Sequence, residues 1–310
     1  MFGRGLCSDD TEHACMTAEA LILSQGEDEL FSQKLAWRLR FWLLGLPAGT
    51  GAATAKSILK LFIGFATQSS GVCSAGNGPA MRSPILGVCY GSDLERLKFL
   101  VRESTRLTHT DPKAEFGALA IALAAHLAST STEPILPNKY IDQLKSLIPD
   151  PEAEELFDLL HAATLSAKDG EDASVFADRL GLEKGVTGYI YHTVPVVIQV
   201  WLRHQHDFPK AILEIVKLGG DTDTTAAILG GIIGANTGKN GIPKSWIDDL
   251  WEWPRSVKWI ERLGLVLTKS IESGDAGKPP SLFFPVLLVR NLLFLMIALV
   301  HVCRRVLPPY

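Results

Sequence analysis

The sequence lacks what would mark a secreted, thiolate-metal or nucleic-acid-binding protein. Its 310 residues hold five cysteines (Cys7, Cys15, Cys73, Cys89 and Cys303), an odd number without metal-ligand spacing. That argues against a disulfide framework or a zinc–thiolate centre and fits reduced thiols in a cytoplasmic protein. The opening residues, MFGRGLCSDDTEHA, contain no apolar stretch of the signal-peptide kind. There is no long basic run and the net charge is −4, so electrostatics do not favour a nucleic-acid partner. Clear strand alternation is missing, and no fixed period recurs that would build a solenoid.

What is present is helical periodicity in a chain that is 47% hydrophobic and 21% charged, ample for one large core. Helices are expected over residues 11–23, 30–44, 54–65, 115–127, 140–148, 152–165, 194–201, 209–218, 224–235, 244–250 and 256–267. The expected fold is all-α, a compact single-domain helical bundle over residues 1–272. A turn-rich linker follows at 273–281 and an apolar tail at 282–310. Within the tail, Leu282–Cys303 is just long enough to span a bilayer. Arg290 opposes insertion by roughly 2.5–3.5 kcal/mol, and Asn291 and His301 oppose it too. Membrane association and docking as a terminal helix, on the core or on a second subunit, both stand open.

The most constrained stretch is LGGDTDTTAAILGGIIGANTG at 218–238. Asp221 and Asp223 follow a glycine pair, beside hydroxyls at Thr222, Thr224 and Thr225, and an alanine- and isoleucine-rich helix comes next. Such residues either cap the helix or ligate a cation, and hard oxygens without Cys or His suit Mg²⁺ or Mn²⁺. The same device recurs at Ser8-Asp9-Asp10-Thr11-Glu12, again ahead of an apolar-periodic segment. Asp9 with Glu12 also fits a capping box. Two such mouths far apart in sequence suggest convergence on cations.

Three further stretches carry polar residues in special settings. Residues 67–92 form a long irregular segment rich in Gly, Ser and Asn, in which Ser74, Asn77 and the glycines suit an ordered loop or an anion cradle. Arg82 in this segment pairs with a phosphate or with a structural carboxylate. Thr108-His109-Thr110-Asp111-Pro112 precedes a helix, with Asp111 near an N-cap and Pro112 at its first position; His109 reads as a turn residue. Gly188-Tyr189 opens an apolar segment in which Tyr189 is a core aromatic or a stacking platform, and His192 a buried, satisfied histidine.

S-D-D-T-E at 8–12, G-N-G-P-A-M-R at 76–82, T-H-T-D-P at 108–112, G-Y-I-Y-H-T at 188–193 and G-G-D-T-D-T at 219–224 occur in the order of one family. From about Ser8 to Leu267 the chain resembles the ADP-ribosylglycohydrolases, which include the dinitrogenase-reductase-activating glycohydrolases. The resemblance implies a Mg²⁺-dependent hydrolase that cleaves ADP-ribose from a modified protein side chain or small molecule. It implies two Mg²⁺ ions (Mn²⁺ being the alternative) held by Ser8, Asp9 and Asp10 from one mouth and Asp221, Asp223 and Thr224 from the other. The loop with Gly76, Asn77, Gly78 and Met81 would lie against the diphosphate, with Tyr189 also contacting substrate and Asp111 at the cleft rim. The family usually has Thr where Ser8 stands. It also normally carries a G-D-x-x-G helix and an acidic residue well before the D-D-T motif, whereas seven residues precede Ser8 here. Either the start of the chain is placed too late or the chain lacks that helix; in the second case the proton work is expected of Asp10, Glu12 or Asp111, or the chain is an ADP-ribose-binding or structural relative with little turnover. A phosphatase using Asp221 is excluded, because its motif would follow a β-strand and here follows a helical segment.

Overall fold

The computed structural model describes residues 4–25, 27–274 and 277–306. Fifteen α-helices run through them: α1 (Asp9–Ser24), α2 (Asp28–Leu44), α3 (Ala52–Phe62), α4 (Ser83–Tyr90), α5 (Leu94–Arg106), α6 (Pro112–Thr130), α7 (Pro137–Leu147), α8 (Glu154–Lys168), α9 (Ala173–Arg179), α10 (Ile190–Arg203), α11 (Phe208–Lys217), α12 (Thr222–Thr237), α13 (Lys244–Asp248), α14 (Val257–Ser273) and α15 (Phe284–Val306). Among the described residues β-structure is limited to isolated bridges. The all-α expectation holds.

α6 has almost no polar face, and from Phe116 to Ala125 every side chain is buried. A helix that is apolar all round belongs in the middle of a core. Accordingly α4, α5, α10 and α12 pack around it, while α1 packs on α2, α12 and α14. The two helices with acidic mouths, α1 and α12, are thereby neighbours, and both mouths open on one side of the molecule.

Three helices escaped the periodicity reading. The segment 67–92 is not irregular throughout: a 3₁₀ turn at Ala80–Arg82 leads into α4. Pro84 and Gly87 look like breakers, but Pro84 lies in the first turn of α4, where no N–H is missed. Gly87 lets α4 touch α6; a Cβ there would come within 1.9 Å of the Ala122 carbonyl oxygen. α5 buries Leu97, Leu100, Val101 and Ser104 at helical spacing between outward-facing charges, and α9 is too short to show a period.

Residues 277–283 do not leave the body as a free linker. The Trp259 indole donates to the Ser281 carbonyl at 3.3 Å. α15 then lies inverted on the protein. Its polar residues point inward: Arg290 Nη2 donates to Glu252 Oε2 at 2.6 Å and to the Cys7 carbonyl at 2.7 Å, and Asn291 Nδ2 donates to the Gly45 carbonyl at 2.8 Å. Val289, Leu292, Leu293, Met296, Leu299 and Val300 are exposed instead. Among the described residues no helix is long and apolar enough to cross a membrane. The last residues of the tail, 307–310, lie outside the described residues.

Arg290→Ala should leave the Glu252 carboxylate buried without its cation and lower unfolding stability by about 3–5 kcal/mol in urea denaturation. Val289→Ser, at a half-exposed position on the opposite face, should stay within about 0.5 kcal/mol of the parent.

Candidate active site

The two acidic mouths do not spend their side chains on capping. Ser8, the N-cap residue of α1, makes no capping hydrogen bond with its side chain; its Oγ donates to Asp10 Oδ2 at 2.6 Å. Asp221, the N-cap residue of α12, makes none either; its Oδ2 accepts from Asn77 Nδ2 at 2.8 Å. The glycine pair before it explains the approach, since Gly219 and Gly220 both have positive φ (74° and 77°) and turn the chain from α11 into α12. Gly220 packs so tightly on Val186 that a Cβ would lie 2.1 Å from its carbonyl oxygen. Between helix capping and cation ligation, the geometry favours ligation.

Carboxylate oxygens of Asp9, Asp10 and Asp223 lie within 4.8 Å of one another. Burial, reinforced by the charge of Asp10, pushes the Asp9 carboxyl up to about 7. Burial pushes Asp10 up to about 6 despite the hydrogen bond from Ser8. Asp221 is also raised, again chiefly by burial, while the hydrogen bonds from Asn77 and Thr224 act in the opposite direction. Asp10 is 2% exposed, and its Oδ1 has no hydrogen-bond partner. A buried, unpaired carboxylate oxygen inside an acidic cluster fits a divalent cation, and this all-oxygen donor set suits Mg²⁺ or Mn²⁺. All six residues expected to hold metal thus meet at one place: Asp9, Asp10, Asp221 and Asp223 as carboxylates, Ser8 and Thr224 through hydroxyls on Asp10 and on both Asp10 and Asp221, respectively.

Asp9, Asp221, Asp223 and Thr224 form one wall of a cleft of about 360 Å³, the size of a small-ligand pocket. Gly76, Asn77, Gly78 and Met81 line it as expected, together with Gly188. Asn77 is the joint between the two walls. Its Nδ2 also reaches the Thr193 hydroxyl at 3.0 Å, and its backbone N–H donates to the Gly188 carbonyl at 2.9 Å.

Other expectations are corrected. Tyr189 does not line the cleft; its hydroxyl accepts from Lys113 Nζ at 3.0 Å and its ring meets His192 edge-on. Glu12 is sealed beneath the floor, ion-paired to Arg255 and accepting from the Trp42 indole at 2.6 Å. Asp111 caps α6, accepting from the Lys113 N–H at 2.9 Å. Arg82 faces neither a phosphate site nor a carboxylate: it is fully buried, bonded to Ser104, Thr108 and His13.

Two contributions were missed. Gly49, Gly51 and the first turn of α3 from Ala52 to Thr54 also line the cleft, and Gly49 sits where a Cβ would lie 3.1 Å from Asp9 Oδ1. The signal was present in Pro47-Ala48-Gly49-Thr50-Gly51, a glycine-rich entry to a helix. His109, read as a turn residue, also lines the cleft.

A profile of the ADP-ribosylglycohydrolases matches residues 1–276. The chain belongs to the ADP-ribosylglycohydrolase family. It is 29% identical to an uncharacterized protein of Archaeoglobus fulgidus over 251 residues, 79% of this chain and 76% of that one. It is 31% identical to ADP-ribosylhydrolase ARH3 of Gallus gallus over 202 residues and of Homo sapiens over 205, covering 58% of this chain and 54% of each relative. The chain thus matches about half the length of those two relatives. A solved structure of an ADP-ribosylglycohydrolase-related protein complex superposes with a TM-score of 0.59 over 86% of this chain and 82% of its own, at 23% identity. That likeness is one of fold. The family is one of glycosidic-bond hydrolases.

Asp223→Asn and Glu12→Gln should separate metal binding from stability. Asp223→Asn removes a cluster carboxylate at an exposed position, so calorimetric Mn²⁺ titration should lose a binding event while the denaturation midpoint hardly moves. Glu12→Gln should leave Mn²⁺ stoichiometry intact and cost about 3–5 kcal/mol of stability, because Arg255 loses its buried partner.

Proposed function

We propose that the cleft binds ADP-ribose and that the protein hydrolyses the glycosidic bond joining it to a protein side chain or a small molecule. The observation that carries this reading is the convergence of both helix mouths: their acidic side chains forgo capping and meet instead. Asp9, Asp10, Asp221 and Asp223 would hold two Mg²⁺ ions, or Mn²⁺. When bound, such ions supply Lewis-acid charge that orients ribose hydroxyls and favours ionisation of a water. The chain's own residues do the rest. Gly76 and Gly78 allow the diphosphate to approach the loop backbone. Asn77 holds Asp221 in place, and the carboxylates favour positive charge developing at the anomeric carbon. Of the three carboxylates nominated for proton work, Glu12 and Asp111 are committed elsewhere and Asp10 is buried among the residues that would hold the ions, so none of the three is free for it.

The same commitment of Glu12 and Asp111 favours a second reading, an ADP-ribose binder with little turnover. Incubation with an ADP-ribosylated peptide and Mg²⁺ decides between them. Release of free ADP-ribose, abolished by chelator and reduced at least about 100-fold in Asp10→Asn, supports the hydrolase. Binding of ADP-ribose without release supports the second reading, and absence of binding defeats both.

The proposal includes a cytoplasmic location, which the five free cysteines support. It also includes surface contact of α15 with membranes through its outward apolar stripe. Co-sedimentation with anionic vesicles should then fall when Met296 and Leu299 are both replaced by serine; equal sedimentation would remove that part.

A further inference from the structure

We propose that the buried Arg82 guanidinium, acting through the Thr108 hydroxyl, fixes His109 in the tautomer that carries its proton on Nε2, so that the cleft presents a directed N–H donor to an oxygen of its ligand. The ligand half of this proposal rests on the ADP-ribose reading; the tautomer half does not.

The argument is proton accounting. A guanidinium can only donate, so the Thr108 hydroxyl, 2.8 Å from Arg82 Nη2, accepts there. Its single proton then has two directions. One is the Thr105 carbonyl at 3.4 Å, which already accepts the backbone N–H groups of Thr108 at 3.0 Å and His109 at 2.8 Å. The other is His109 Nδ1 at 2.8 Å. The short, unsaturated direction wins, so Nδ1 accepts and the imidazole proton resides on Nε2. In the opposite tautomer the Thr108 oxygen would take two donors and push its own proton toward a long bond to a filled carbonyl.

Nε2 is the edge of the ring turned toward the glycine loop. A Cβ at Gly76 would lie 3.0 Å from it, and one at Gly78 would lie 3.2 Å from Cε1. Glycine at both positions keeps this edge open, and no protein acceptor for Nε2 occurs among the described residues. Burial and the adjacent Arg82 charge hold His109 down at about 3, so the ring stays neutral at physiological pH. Arg82 treats His13 in the same way, since Nη1 lies 3.3 Å from its Nδ1, which must accept. His13 therefore provides an internal reference for the Nε2-protonated form.

Long-range ¹⁵N–¹H correlation spectra of the ¹⁵N-histidine-labelled full chain at neutral pH give the tautomer directly. Both His13 and His109 should show the Nε2–H pattern, and an Nδ1–H pattern for His109 would overturn the proposal. On addition of ADP-ribose to a protein that binds it, the His109 Nε2–H resonance should shift; an unmoved resonance would overturn the ligand half. Failure to bind ADP-ribose would instead count against the proposed function. Thr108→Val should mix the His109 tautomers and weaken ADP-ribose binding about five- to ten-fold, the scale of one hydrogen bond. Thr108→Ser should restore both. A folded Thr108→Val protein with an unchanged tautomer would overturn the relay, and if that variant does not fold, the parent spectrum still decides.

Discussion

Three carboxylates within 4.8 Å of one another, in a partly desolvated cleft, repel each other, and much of the surrounding structure is arranged to bear that repulsion. Each mouth is a helix N-terminus, whose partial positive charge favours anions. The Ser8 and Thr224 hydroxyls and the Asn77 amide add donors that reach the cluster and the adjoining Asp221. These favourable terms are individually modest. Burial, with mutual repulsion added to it, still raises Asp9 to about 7 and Asp10 to about 6, so these donors do not offset both.

The same constraint reaches the far end of the chain. The segment that delivers Asp9 is pinned by residues some 245 positions later. The Gly5 N–H donates to Asp249, the Trp251 N–H donates to Gly5, and the Cys7 N–H donates to Glu252 Oε2 at 2.9 Å. Arg290 of α15 closes this arrangement by neutralising Glu252 and binding the Cys7 carbonyl. One turn into α1, Arg255 neutralises Glu12. An acidic helix start is thus held in register by two arginines from the C-terminal third. That accounts for polar residues inside an otherwise apolar tail: they serve the floor of the site rather than opposing a bilayer.

The all-α class and the meeting of the two acidic helix mouths were legible because both signals are local. Periodicity reports burial of a helix face, and an acidic pair beside hydroxyls reports a helix mouth. Roles set by distant partners were not legible. Glu12 satisfies a capping-box spacing, yet Arg255 and Trp42, which claim it, are invisible from residues 8–12. Tyr189 stands beside a lining glycine, yet Lys113 draws its hydroxyl away. α4 was read as loop because Pro84 and Gly87 signal breaks, whereas Gly87 answers to the backbone of α6. His109 looked like a turn residue because nothing in T-H-T-D-P announces a cation buried beneath it.

That cation gives the cleft its polarity. Arg82 is fully buried and, among the described residues, has no carboxylate partner; its bonds go to a hydroxyl, a carbonyl, a second hydroxyl and an imidazole. A buried charge without a counter-ion is costly, and burial pushes the Arg82 guanidinium down to about 10, still protonated at neutral pH. Its field therefore persists beneath the wall carrying Gly76, Gly78 and His109, while the wall carrying Asp9, Asp221 and Asp223 is acidic. One wall favours anions and the other favours cations, within one cleft of about 360 Å³. A ligand with a phosphate-bearing part and a hydroxyl-rich part suited to metal ions satisfies both walls at once, and a ligand of uniform charge would satisfy only one.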